Sequence, residues 1–375
     1  MKATAIGIVC LVLTAATDFP PGFEPRFINE KELKMPVPLL HDRPDTLDML
    51  FIGDVMMHSA QLDAAKTDGG YDFSGYFDNI DNLINEADIA VANMEFTVGT
   101  RPYTGYPCFS APYEILEEAA GHGIDIMLSA NNHIADKGAK GFAATIGAYR
   151  KIHDEYGTVN TGMYADSAAQ DREYPLIVEK NGFKVALLNF TYGTNGIPVP
   201  CPYKVNGTDT VELKRAIAKA VSDSADIIIA LPHWGTEYRL MPDRAQKSLA
   251  EWLARNGVDA VIGTHPHVPQ GKETINGCQI VYSLGNYISN MSLANTQAGF
   301  AATVRIVKRY GKEAKVLPIQ LEYLWCSRAG HKESGFTTVV VKNEEGRRDE
   351  WARPQDYDNM LSTCRRIERT IKINE

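Results

Sequence analysis

The chain has 375 residues, 44% of them apolar and 23% charged, which is the balance of a packed globular protein and not of a disordered or fibrous one. Acidic residues outnumber basic ones, 47 to 38, and the net charge of −9 gives no general attraction to nucleic acid or anionic lipid. No apolar run reaches the roughly 18–20 residues of a membrane span, so integral membrane and nucleic-acid-packaging proteins are excluded.

Lys2, the apolar stretch from Ala3 to Leu13 and the small residues Thr14-Ala15-Ala16-Thr17 read as a signal peptide over residues 1–17. The chain is therefore expected to be exported, to the periplasm, cell envelope or medium, and to have no transmembrane anchor. A Pro-rich segment follows over 18–45. Cys10 leaves with the signal. Cys108, Cys201, Cys278, Cys326 and Cys364 are widely spaced without a Cys-x-x-Cys pair, so they make no zinc ribbon or redox motif, and the sequence selects no disulfide.

From residue 46 one pattern recurs: an apolar run of strand length stops abruptly in polar residues. Leu47–Ile52 runs into Gly53-Asp54, Asp88–Ala92 into Asn93-Met94-Glu95, and Ile124–Ala130 into Asn131-Asn132-His133. Ala225–Leu231 runs into Pro232-His233, and Val258–Gly263 into Thr264-His265-Pro266-His267. Between them, residues 138–156, 209–224 and 243–256 carry helical periodicity, the second capped at Thr208 or Asp209 and the third at Asp243. Strands alternating with helices predict an α/β fold with a mostly parallel sheet buried on both faces. The later stretches 278–287, 300–309, 314–324 and 336–342 read as antiparallel strands, and 356–372 as a last helix. Residues 46–290 thus form the main domain, and 291–375 complete the same body.

Ligands of open α/β sheets bind beyond the carboxyl ends of the strands. Five strand exits here present Asp54, Glu95, Asn132 with His133, His233, and His265 with His267, all oxygen or imidazole donors. Such a set suits one or two divalent ions: Mn, Fe or Zn. On an extended backbone His265 and His267 would face the same way. A two-ion site needs a bridging carboxylate, for which Glu95 is the choice. His133 is placed as a general acid, and Asp136 either orients it or caps the next helix. Glu237 and Asn286 are candidate substrate-binding residues with Tyr287 beside them. Arg101 and Tyr103, in the loop after Glu95, either meet an anionic group or are simply solvated.

Six stretches in order, Gly-Asp-Val-Met (53–56), Asn-Met-Glu (93–95), Asn-Asn-His-Ile-Ala-Asp (131–136), His-Trp-Gly-Thr-Glu-Tyr (233–238), Gly-Thr-His-Pro-His-Val (263–268) and Tyr-Ser-Leu-Gly-Asn-Tyr (282–287), resemble the CapA-type poly-gamma-glutamate capsule biosynthesis proteins, themselves similar to the calcineurin-like metallophosphoesterases. The resemblance implies two facing mixed β-sheets flanked by helices (αββα) with a binuclear metal centre at the strand ends. It further implies a secreted phosphoesterase-like protein of capsule biosynthesis, acting on a phosphorylated or anionic envelope polymer with a metal-bound hydroxide as nucleophile. A non-catalytic component of a capsule machine with membrane partners, and a metal-dependent polyglutamate hydrolase, are the alternatives. Two departures stand out: Asp54 is followed by Met56 where the superfamily has Asp-x-His, leaving His58 as either the missing imidazole or a helix start, and Glu95 replaces the usual Asp.

Overall fold

The computed structural model describes residues 45–309 and 311–371; the expected signal peptide and nearly all of the Pro-rich segment lie outside them. The chain begins with four parallel strands, β1 (Asp45–Val55), β2 (Ile89–Met94), β3 (Ile126–Leu128) and β4 (Val159–Thr161), paired in that order. It then builds a second sheet from β5 (Leu176–Lys180), β6 (Phe183–Thr191), β7 (Ile227–His233), β8 (Ala260–Ile262), β9 (Pro269–Ile275) and β10 (Cys278–Leu284), in the order β9-β10-β8-β7-β6-β5. The last strands return to the first sheet. β11 (Asn286–Ile288) runs parallel to the end of β1, and β12 (Ala298–Lys308) pairs antiparallel along β1 from Asp45–Lys308 to Ile52–Ala301. β13 (Lys315–Val316) and β14 (Gln320–Ser327) pair with β12, and β15 (Thr337–Val340) forms the edge.

The side-chain alternation of β1 explains the layering. Leu47, Met49 and Phe51 face one way and pack with Val185 and Leu187 of β6, Ile227 and Ile229 of β7 and Val304 of β12, so this cluster lies between the sheets. Leu50 and Ile52 face the other way and join Ile115, Leu116, Phe142 and Ile152 from helices α3 (Glu114–Gly121) and α4 (Gly138–Tyr156). These follow α1 (Ser59–Ala65) and α2 (Asp81–Glu86), with α5 (Ser167–Glu173) next in the chain. On the far side of the second sheet, Ala186, Leu188 and Ile228 pack on Leu213 and Ile217 of α6 (Thr210–Ser222) and on Ala250 and Leu253 of α7 (Arg244–Arg255). The result is two facing mixed sheets with helices outside both. Each fully buried side chain of this kind contributes about 1.5–3 kcal/mol of transfer free energy. The last helix, α8 (Pro354–Ile371), adds Met360, Cys364 and Ile367 to the inter-sheet core.

Local chemistry sets the helix boundaries. Asp209 accepts from the Val211 N–H at 2.7 Å at the start of α6, and Asp243 and Gln246 form a reciprocal capping box on α7. Two predicted strands break in the structure. The stretch 278–287 divides at Gly285, whose φ of +69° turns the chain out of the second sheet and into the first. The stretch 314–324 divides into β13 and β14, with Pro318 between them. The β5–β6 hairpin went unpredicted. All five cysteines among the described residues are free.

Candidate metal centre

Each donor owes its place to a strand end. Asp54 lies near the end of β1, where Gly53 lets the backbone touch the crossover: a Cβ at Gly53 would fall 1.9 Å from the Gly285 carbonyl oxygen. That approach lets the Asp54 N–H donate to the same carbonyl at 3.0 Å. Glu95 follows β2, and its neighbour Asn93 donates from Nδ2 to Asp54 Oδ1 at 2.7 Å. The Asn131-Asn132-His133 turn after β3 is tied to β2 by Asn131 Nδ2 donating to the Met94 carbonyl at 2.8 Å. His233 is the last residue of β7.

His265 and His267 reach the same place by a route other than the predicted one. Their backbones are not extended: φ is +98° at His265 and +57° at His267, a region costly for residues with a Cβ. Strand alternation therefore does not place them, and it is a left-handed loop beyond β8 that turns both imidazoles to the centre. The His265 N–H donates to Asp54 Oδ2 at 3.2 Å, which holds the loop in that shape.

The donors converge. Asp54, Glu95 and His233 have ligand atoms within 4.8 Å of one another, and so do Glu95, His265 and His267, with Glu95 common to both groups. All five are buried. Both carboxylate oxygens of Glu95 lack a hydrogen-bond partner, as does His265 Nδ1. The imidazoles nearest Glu95, His233 at 3.5 Å and His267 at 3.7 Å, are too distant to satisfy it well. Orphaned buried carboxylate oxygens are expensive in a protein interior, and a cation among them removes that penalty. The donor set therefore fits one or two divalent ions.

The electrostatics agree. Burial and the neighbouring imidazoles push the pKa of His265 well below its ordinary value, leaving it a neutral ligand. His267 goes the other way: burial disfavours its charge, but Glu95 and Asp54 outweigh burial and hold the imidazole up at about 9. Asp54, despite burial, is lowered by its bond to His267. In the absence of an ion, a proton on His267 partly offsets the charge of the two carboxylates.

Asn132 sits beside the centre, with Oδ1 2.8 Å from His233 Nε2. His133 is nearly buried, and its Nδ1 lies 2.8 Å from Asp136 Oδ2. Asp136 also accepts from the Phe109 N–H at 2.6 Å and does not cap α4, whose N-cap is Lys137. Asn286 accepts from His267 Nδ1 at 2.9 Å, so it orients a donor instead of facing an open pocket. Glu237 is half-buried and its charge is felt at His267. His58 is the N-cap of α1; its Nδ1 accepts from the Asn290 N–H at 3.3 Å, and it belongs to neither donor group. Burial lowers its pKa to about 4, so it stays neutral. Arg101 is exposed and stacks 4.7 Å over Tyr103, without a hydrogen bond or ion pair to any donor. Of four further residues that shape the site, Asn93 and Thr264 stand at strand exits read from the sequence but were given no role, and Asn195 and Tyr192 escaped sequence reasoning. The apolar run Val185–Leu188 ending in Asn189 carries the same strand-exit signature as the other five and leads directly to Tyr192.

The family model for bacterial capsule synthesis protein PGA_cap matches residues 48–291. The chain belongs to this family. As a capsule synthesis family member, it is similar to capsule biosynthesis protein CapA of Bacillus anthracis, 27% identical over 79% of this chain and 70% of that one. It is also similar to PGA biosynthesis protein CapA of Bacillus subtilis (strain 168), 26% identical over 74% of this chain and 72% of that one. Among solved structures it resembles 5'-nucleotidase from Candida albicans SC5314, with a TM-score of 0.41 and 10% identity over 74% of this chain and 50% of that one. TT1561 of Thermus thermophilus gives a TM-score of 0.41 and 8% identity over 68% of this chain and 93% of that one. The family match spans every donor of the centre, whereas β12–β15, which complete the first sheet, lie beyond it. Among the described residues, no helix is long and apolar enough to cross a membrane.

Proposed function

We propose that this family member is an exported, metal-dependent phosphoesterase of capsule or exopolymer biosynthesis. Asp54, Glu95, Asn132, His233, His265 and His267 would hold one or two Mn, Fe or Zn ions, Glu95 being common to both donor groups. The observation that carries this reading is the pair of buried, unpartnered Glu95 oxygens within reach of three imidazoles from two strand ends. When bound, the ions supply Lewis acidity and an activated water for attack on phosphorus. The chain's own residues do the rest. His133 donates from Nδ1 to Asp136, which fixes the ring and keeps Nε2 for the leaving oxygen. Asn286 fixes the ring plane of His267. The PGA of the Bacillus subtilis relative's name suggests an anionic envelope polymer as the end product, with membrane proteins of a capsule complex as partners.

The test is turnover of a panel of phosphomonoesters and diesters by the protein loaded with Mn²⁺, Zn²⁺ or Fe²⁺. Hydrolysis that a chelator abolishes and added metal restores supports the proposal. Absence of turnover across the panel, with metal demonstrably bound, overturns it in favour of a non-catalytic assembly role.

A further inference from the structure

Three tyrosines from three loops surround the metal centre, and all three are exposed. Tyr192, just after β6, lays its ring 4.6 Å from that of His265 and is 45% exposed. Tyr238, in the loop after β7, lies 6.2 Å from the His267 ring and within 29° of parallel to it, and is 39% exposed. Tyr106 meets Phe109, whose ring in turn stands edge-on to His133 at 4.6 Å; Tyr106 is 74% exposed. No two of the three are in ring contact with each other. Core packing does not account for rings placed this way, because the protein leaves them in water while anchoring two of them on its own donor histidines.

Tyr238 is also held in place at a cost. Its φ is +63°, in the left-handed region, and its N–H donates at 2.8 Å to the carbonyl of Pro266, the residue between His265 and His267. The polar groups beside the rings are Asn195 and Glu237. Asn195 Oδ1 accepts from the Tyr192 hydroxyl and from Asn132 Nδ2, each at 3.2 Å. Glu237 faces Tyr238 and Tyr192. Among the described residues, no lysine or arginine forms an ion pair or hydrogen bond with Tyr106, Tyr192, Asn195, Glu237 or Tyr238. The mouth thus offers π faces, hydrogen-bonding groups and the Glu237 carboxylate, with no lysine or arginine bonded to any of these five residues.

We propose that this tyrosine mouth binds the uncharged sugar ring of a glycosyl phosphate whose phosphate sits on the metal centre. The hydrogens on a pyranose face carry partial positive charge and suit the negative face of a tyrosine ring, while its hydroxyls suit Glu237 and Asn195. A carboxylate or a second phosphate beside the rings would meet the like charge of Glu237. The proposal takes its phosphate from the phosphoesterase reading; the ring preference stands on the mouth itself.

The experiment is saturation-transfer NMR on the full, metal-free chain with glucose 1-phosphate, glycerol 2-phosphate and adenosine 5′-monophosphate. The expected result is transfer to the sugar-ring protons of glucose 1-phosphate. It is lost in the double variant Tyr192→Ala/Tyr238→Ala and retained in Tyr192→Phe/Tyr238→Phe. In the metal-loaded protein, the ratio of kcat/KM for glucose 1-phosphate to that for glycerol 2-phosphate should fall by about tenfold or more in the alanine pair, and KM should carry the change. Ring contact without turnover sustains this proposal and overturns hydrolysis. Turnover of both esters with a ratio that the alanine pair leaves unmoved, or preferential contact with adenine, overturns this proposal and leaves hydrolysis standing.

Discussion

Asn132 Oδ1 lies 2.8 Å from His233 Nε2, so two groups read from the sequence as separate metal donors are bonded to each other. The amide is oriented by its own Nδ2 donating to Asn195, so Oδ1 accepts and His233 carries its proton on Nε2. His233 Nδ1 is then free to accept from Thr264 at 3.0 Å. An ion held at Nε2 would leave the His233 proton on Nδ1, facing Thr264, and would displace the extra proton on His267. Metal uptake near pH 7 should therefore release at least one proton, and affinity should fall as the pH is lowered. Calorimetric titration in two buffers of different ionisation enthalpy checks this; identical heats in both would contradict it.

His133 and Asp136 should separate chemistry from metal binding, since neither belongs to a donor group. His133→Ala should lower turnover by about 10²–10⁴-fold with metal content unchanged. Asp136→Asn should give a smaller loss, carried by kcat and not by KM, because it replaces the carboxylate that holds the ring in place. Loss of metal in either variant would return both residues to a structural role.

The close approach at Gly53 makes a stability prediction that does not involve catalysis. Gly53→Ala drives a methyl group into the Gly285 carbonyl and separates β1 from the crossover. Overpacking of this kind costs about 1–3 kcal/mol, visible as a lower urea midpoint, and it should weaken metal binding because Asp54 is displaced. An unchanged midpoint would show that β1 and the crossover can part without penalty.

Away from the centre, His122 lies among Asp81 at 2.6 Å, Glu118 at 3.2 Å and Asp78 at 3.4 Å. Burial lowers its pKa, but these acids outweigh burial and the net shift is upward. Asp81 contributes most of the hold on the imidazolium, through its hydrogen bond and its charge, followed by Glu118 and then Asp78. A raised pKa in the fold means that the stabilisation is complete below the unfolded value of about 6.5 and disappears as pH rises through the folded one. His122→Gln should therefore destabilise the protein more at pH 5.5 than at pH 9.5 in urea unfolding. Equal losses at both would mean that the pairs contribute nothing.

The strand ends were legible because an apolar run buried on both faces has a sharp chemical boundary. Asp54, Glu95, His133 and His233 each stand at such a boundary. The helices over 138–156, 209–224 and 243–256 were legible from their periodicity, the last two also from their caps, and they appear within one or two residues of those limits. The backbone at His265 and His267 was not, since a left-handed conformation at a residue with a Cβ leaves no mark in composition. Nor was the tyrosine mouth. Tyr106, Tyr192 and Tyr238 follow no periodicity, and only the folded chain brings their loops to one rim.

Metal analysis of the purified, dialysed protein beside Glu95→Gln tests the centre most directly. Glu95 is the donor common to both groups, and its two oxygens have no other partner. Wild-type protein should retain about one to two equivalents of a transition metal, and the variant should bind at least about 10–100-fold more weakly while remaining folded. Wild-type protein that holds no stoichiometric metal after exposure to Mn²⁺, Fe²⁺ and Zn²⁺, or a variant that holds as much as wild type, would contradict the assignment.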